Sequence, residues 1–264
     1  MSHPRFPSPV AFLGDRRIRV TVVGAGGTGS MLLDGLARLD CALRAQGHSG
    51  MNVIVYDDDT VSESNIGRQR FCRVDIGFSK AILMQHRLNA FYGLDWEARP
   101  ERYDPKRERD LPDLLIGCVD RGDFRHALGA ARARDNTDCL WCDTGNGADS
   151  GQVIIGHLGN PRRGQRLPNV YDFFGSELLA GDKDNAPSCS LAEALTRQRW
   201  SINPMVATVA TSLLDKLFHR GGLDDHGALI RLDPLSVSPL AIDPAVWSSF
   251  GIDPARTGIT KAAA

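Results

Sequence analysis

Runs of β-branched apolar residues alternate with stretches of helical spacing along the first half of the chain, and this change of period marks out its elements. "IRVTVV" at 18–23 reads as a buried strand. From Thr28 to about Gln46 the spacing becomes helical, with Met31, Leu32, Leu36, Leu39 and Leu43 on one side and Gly47 and Gly50 as stop signals. "MNVIVYD" supplies a second strand, so these elements form a βαβ crossover, which lays its strands parallel. After the polar stretch "DDDTVSESNIGRQRFCR" come a helix, "SKAILMQHRLNAFYG", and an expected strand in "LDWEARPERY". "DLLIGCVD" is an apolar strand ending on a carboxylate, followed by the helix "FRHALGAARAR". The alternation predicts an α/β fold with a Rossmann-like, doubly wound, mostly parallel sheet.

From Cys139 the pattern changes. "CLWCDTGNGADSGQVIIGHLG" reads as two strands joined by a Gly, Asn and Asp loop, which predicts an antiparallel extension of the sheet. Residues 158–190 are rich in Gly, Pro and Asp without periodicity and read as a crossover loop. Two helices follow, "SLAEALTRQRW" and the more apolar "NPMVATVATSLLDKLFHRGG", and then short strands in "ALIRLD" and "SVSPLAI". The expected organisation is an N-terminal arm (1–17), one domain (18–250) and a flexible tail (251–264).

Composition narrows the function classes. The chain has 264 residues with 31 basic and 32 acidic side chains, enough for one sizeable core and without the cationic surplus that nucleic acid requires. No apolar run approaches the ~18 residues of a membrane span. "MSHPRFPSPVAF" lacks the apolar stretch of a signal peptide, so a cytoplasmic location is expected. Cys41, Cys72, Cys118, Cys139, Cys142 and Cys189 are then expected as free thiols.

The chemistry begins where the first strand runs into "GAGGTG". Gly24 permits a tight turn, Gly26 lets the backbone approach a phosphate, and Gly29 lets the helix pack against the strand, while the helix N-terminus offers free N–H groups and partial positive charge. The same glycines could make a tight turn with no ligand. Asp57 ends the second strand, where a carboxylate can bind both ribose hydroxyls or simply cap a turn. These features alone suit an NAD-dependent oxidoreductase, which would leave the next segment unused. There, Asn65, Arg68 and Gln69 share a polar loop and Lys80 opens the following helix. A planar guanidinium and a point-charge ammonium suit a triphosphate, although each alone could be a solvated surface charge. Asp120, at the same sheet edge, could hold Mg²⁺ through oxygen.

"VVGAGGTGS", "YDDDTVSESNIGRQRF", the Lys80 helix and "LLIGCVD" resemble the ThiF/MoeB/HesA family, the adenylating core of ubiquitin-activating E1-like enzymes. The resemblance covers roughly 18–157 and resumes at 203–242. "APSCSLAEALTRQRWSINP" most resembles ThiF-type members encoded in bacterial PRTRC gene clusters. It implies ATP-dependent adenylation of the C-terminal glycine carboxylate of a small ubiquitin-like (β-grasp) or sulfur-carrier protein, by a homodimer. Carried over by position, Gly24, Gly26, Gly27 and Gly29 bind phosphates, Asp57 the ribose, and Gln69 joins the nucleotide site. Asn65, Arg68 and Lys80 hold the phosphates and offset charge in the transition state, and Asp120 ligates Mg²⁺. "PSCSL" resembles the thioester-forming cysteine context of E1 enzymes. Cys189 is therefore either a nucleophile at a helix N-terminus or a half-buried cap residue.

Three departures from the family stand out. "CVDR" puts Arg121 where an Asn is usual. The N-terminal arginine motif is not evident, leaving Arg5, Arg16 and Arg17 as candidates. Cys139 and Cys142 form one CxxC where two are needed, so buried thiols rather than structural zinc are expected. A degenerate E1-like binding partner without catalysis is the alternative from outside the enzyme class.

Overall fold

The computed structural model describes residues 5–180 and 198–253. In chain order it builds β1 (Phe6–Pro7), β2 (Ile18–Val23), α1 (Gly27–Ala45), β3 (Met51–Tyr56), α2 (Lys80–Tyr92), β4 (Glu97–Arg99), β5 (Leu114–Gly117) and α3 (Gly122–Arg132). The remainder comprises β6 (Leu140–Asn146), β7 (Ser150–His157), α4 (Val170–Phe174), α5 (Ile202–His219), β8 (Gly222–Leu223), β9 (Asp225–Leu232), β10 (Leu235–Ala241) and α6 (Pro244–Ser249).

Eight strands form one sheet in the order β10-β9-β7-β6-β5-β2-β3-β4. The stretch from β6 to β4 is parallel, and β7, β9 and β10 extend it antiparallel. This is the Rossmann-like, doubly wound arrangement with an antiparallel extension that the alternating periods imply. The parallel strands are buried on both faces: Val20 and Val22 of β2, Val53 and Val55 of β3, and Leu114, Leu115 and Ile116 of β5 are all at most 2% exposed. On one face α1 packs against α5, where Gly35 lets the helices approach; a Cβ there would lie 2.5 Å from the Thr211 hydroxyl.

Register sets up the site. Val23 pairs with Tyr56 on one side and with Gly117 on the other, and Gly117 pairs with Asp143. Gly24, Asp57 and Cys118 therefore leave the carboxyl ends of three neighbouring strands in one row, with Thr144 of β6 level with them. The chain order reverses between β2 and β5, which opens the crevice where ligands bind in such sheets.

Several boundaries differ from expectation. Only Glu97–Arg99 of "LDWEARPERY" is strand. Within 158–190, the described part is not all loop: Asn169 accepts from Tyr171 and Asp172 N–H groups to cap α4, and a 3₁₀ helix runs Gly175–Leu179. Most of the expected helix "SLAEALTRQRW" lies outside the described residues, as do Cys189 and most of the tail. The N-terminal segment adds a strand of its own, with Phe6 and Pro7 paired antiparallel to Leu223 and Gly222.

Candidate functional site

The crevice between β2 and β5 opens into a cavity of about 1210 Å³. At this size it can hold a nucleotide and leave room for a second reactant. Its floor is the β2–α1 turn. Gly24 has φ +97°, and a Cβ there would lie 2.7 Å from the Cys118 carbonyl oxygen, so the turn needs glycine. Gly26 precedes α1 with no side-chain cap, and the first turn of the helix carries no acidic residue. Gly26, Gly27 and Thr28 line the cavity, so the helix start, whose first N–H groups lack intrahelical partners, borders it as an anion site requires. Gly29 has a different role. A Cβ there would lie 1.9 Å from Gly24 O, so Gly29 lets helix and turn touch and does not line the cavity.

Asp57 closes one side. Its Oδ2 accepts from Ala25 N–H at 2.5 Å and its Oδ1 from Asp59 N–H at 2.9 Å. Burial raises its pKa, while the Ala25 N–H and the Lys80 charge oppose the rise. Asp57 is thus anchored to the glycine turn itself.

The polar loop forms the opposite wall. Residues Glu63–Asn65 make a 3₁₀ turn closed by Ser62 and Asn65, whose Oδ1 accepts from Ser62 N–H at 2.9 Å. The Asn65 carbonyl then accepts the N–H groups of Arg68 at 3.3 Å and Gln69 at 3.0 Å. Asn65 therefore places both neighbours. Arg68 is half-buried; burial lowers its pKa and the Asp120 charge opposes this. Its Nε and the Gln69 Oε1 have no hydrogen-bond partner among the described residues. A buried guanidinium donor without a partner beside free helix-start N–H groups fits a phosphate chain. Lys80 enters at the start of α2, is 6% exposed, and holds Asp59 Oδ2 through Nζ at 2.8 Å.

Asp120 and Arg121 stand at the mouth, past the end of β5, and Arg121 pairs with Asp123. Asp57, Asp58 and Asp59 also bring carboxylate oxygens within 4.8 Å of one another. This donor set is hard oxygen, the type that Mg²⁺ accepts. Cys118 lines the cavity too, but burial pushes its thiol up to about 12, so it stays protonated.

Of the residues singled out from the sequence, Gly24, Gly26, Gly27, Asp57, Asn65, Arg68, Gln69, Lys80 and Asp120 line this one cavity. Arg5, Arg16 and Arg17 do not join them. Arg16 pairs with Asp113 at 2.6 Å, Arg17 with Asp95 at 2.6 Å, and Arg5 donates to the Arg220 carbonyl. Asp113 precedes the first residue of β5, so Arg16 sits at the sheet edge opposite Asp120. Cys139 and Cys142 are 3% and 0% exposed, and burial raises both thiols.

Residues with no motif complete the site. Thr28 Oγ1 donates to Asn203 Oδ1 at 3.1 Å and accepts from Asn146 Nδ2 at 2.9 Å. Asn203 donates to Gln198 Oε1 at 3.3 Å, and so does Arg68 at 3.0 Å. Arg125 in α3 ties the turn before Asp120 to β6. The available signal was a single short stretch, "RQRWSIN", carrying both Gln198 and Asn203 into the start of α5.

A family model described as the ThiF family matches residues 15–234. No curated protein matches. Among solved structures, E. coli MccB with ATP is 15% identical at TM-score 0.57, over 88% of this chain and 65% of that one. E. coli MccB with MccA gives 16% identity and TM-score 0.60, over 88% and 66%, and PaaA gives 16% and 0.59, over 88% and 65%. The chain thus spans just under two thirds of the length of these structures. At such identity the likeness is one of fold.

Proposed function

The chain belongs to the ThiF family, and from that premise we propose that it is an ATP-dependent adenylyltransferase acting on the C-terminal carboxylate of a peptide or protein. The observation that carries the reading is the convergence of Arg68, Lys80 and the α1 N-terminus on one cavity that Asp57 closes from the ribose side. A dinucleotide cofactor would not engage that second cationic wall. E. coli MccB, which shares the fold, has been solved with ATP and with N-formylated MccA, which supports a nucleotide and a peptide as the reactants.

In the proposed reaction a carboxylate oxygen of the acyl substrate attacks the α-phosphorus of ATP. An O–P bond forms, the bond to the β-phosphate bridging oxygen breaks, and pyrophosphate leaves. No general base is needed, because the carboxylate is already ionised. The Gly26 and Gly27 backbone and the start of α1 bind phosphate oxygens, and Asp57 receives the ribose hydroxyls. Arg68 and Lys80 offset the charge that grows on the phosphates as the bond breaks, and Asn65 and Gln69 hold Arg68's loop in place. Asp120 would hold Mg²⁺ with the Asp57–Asp59 carboxylates nearby, and the ion would supply further neutralisation of the phosphates.

The finer reading, in which the acceptor is a ubiquitin-like or sulfur-carrier protein ending in glycine and the protein is a homodimer of the PRTRC type, follows the sequence resemblance. Transfer to Cys189 as a thioester belongs to the same proposal: its thiolate would attack the acyl carbon and expel AMP. Exchange of labelled pyrophosphate into ATP, dependent on a Gly-ended partner, tests the reaction. Exchange supports it, and NAD binding without ATP binding sinks it. Among the described residues no helix is long and apolar enough to cross a membrane.

A further inference from the structure

We infer that Gln198 is a positioning residue that holds the Arg68 guanidinium beside the start of α1; the inference rests on the adenylation reading. Gln198 lies three residues before the end of the stretch leading into α5, far from the loop that carries Arg68 in the chain. Its amide is fixed in one orientation by three bonds. Oε1 accepts from Arg68 Nη2 at 3.0 Å and from Asn203 Nδ2 at 3.3 Å, while Nε2 donates to Gly147 O at 3.1 Å. Reversing the amide would set its NH₂ against two donors, so the oxygen must face the guanidinium.

The identity of the acceptor matters chemically. Other arginines of this protein rest on carboxylates, as Arg16 does on Asp113, Arg17 on Asp95 and Arg166 on Asp172. A carboxylate in direct contact would satisfy Arg68 and cancel much of its charge. An amide oxygen orients the guanidinium and leaves its charge available to a phosphate. Nε remains without a partner among the described residues, the arm one would leave for an incoming oxygen. Asn203 extends the same chain of bonds to Thr28 in the first turn of α1. The Asn65 turn fixes the Arg68 backbone, and the lead-in to α5 ties the Arg68 guanidinium to the helix start.

The test is a double-mutant cycle on the full chain, read as Kd for ATP and, in parallel, for adenosine. Gln198→Ala and the isosteric Gln198→Met are expected to weaken ATP about three- to tenfold, the value of one ordinary hydrogen bond because Gln198 acts on the phosphates only through Arg68, and to leave adenosine unchanged. Arg68→Ala weakens ATP further, and adding Gln198→Ala to it costs nothing more, because the residue acts through Arg68. Additive losses in the double variant, or equal losses for adenosine, overturn the inference while leaving the adenylation reading standing. Absence of ATP binding by the unaltered protein overturns both.

Discussion

Arg125 and Asp143 form an ion pair beneath the candidate site, with Nε 2.9 Å from Oδ1 and 3.0 Å from Oδ2, and both residues are buried. The other guanidinium arm donates to the Val119 carbonyl at 2.7 Å and to the Thr144 carbonyl at 3.1 Å. One side chain thereby joins α3, the end of β5 and the end of β6. Replacing Arg125 with Met leaves a buried carboxylate alone, and the expected loss is about 3–5 kcal/mol in denaturant unfolding. A loss below about 1 kcal/mol would show that the pair is not holding these elements together.

The glycines divide into two groups. Gly29→Ala puts a Cβ into the Gly24 carbonyl, so the variant is expected to unfold or to melt well below the parent. Gly26→Ala meets nothing closer than the Gln69 amide at 3.8 Å, so its melting temperature should hardly move. Its methyl would occupy the space proposed for phosphate, and ATP affinity is expected to fall about tenfold, roughly one backbone–phosphate hydrogen bond. Calorimetry on the two variants distinguishes a packing glycine from a binding one.

Lys80→Met keeps the aliphatic volume at a position 6% exposed and removes the charge that reaches Asp59. Pyrophosphate exchange is expected to drop about 10²-fold, the scale of losing one preorganised charge at a transition state. A fall of less than threefold would remove Lys80 from the proposed machinery.

Two buried imidazoles give the fold an acid limit. His157 accepts from Leu167 N–H, and His226 donates to the Ile155 carbonyl and accepts from Trp247 Nε1. Burial holds both rings down to about 4. The unfolded chain takes up these protons near pH 6.5 and the folded one does not. Their contribution is therefore complete above about pH 6.5 and is lost as pH falls toward 4, about 3 kcal/mol for each ring. Unfolding free energy measured from pH 7.5 to 4.5 should decline with a slope approaching two protons. A flat profile would mean that at least one ring charges within the fold.

Thiol mapping should follow burial. Alkylation of the native protein is expected at Cys41 and Cys72, which are exposed, and not at Cys118, Cys139 or Cys142. Peptide mass spectrometry reads the pattern, and rapid labelling of Cys118 would contradict its closed position at the cavity wall.

Much of this was legible because parallel strands buried on both faces must be largely apolar, as "VTVV" and "LLIGCV" are, and because the glycine turn and the Asn65–Lys80 segment are local. Arg125, Asn146, Gln198 and Asn203 were not legible for the same reason in reverse. Their roles arise from pairings across the sheet that no spacing encodes. The short β1–β8 ladder is likewise a contact between distant segments, whereas α4 was signalled by Asn169 followed three residues later by Asp172, a cap that its Gly- and Pro-rich surroundings obscured.

The hydrogen bond between Thr28 and Asn203 joins residues 175 positions apart. A ribosome therefore releases the whole glycine turn, Asp57, Arg68 and Lys80 long before the segment that braces them. A nascent chain ending after β7 would carry the glycine turn, Asp57, the Asn65–Lys80 segment and Asp120 and still lack the brace. Nucleotide competence should thus arrive late in synthesis, when α5 docks, and an incomplete chain would have little means of sequestering ATP.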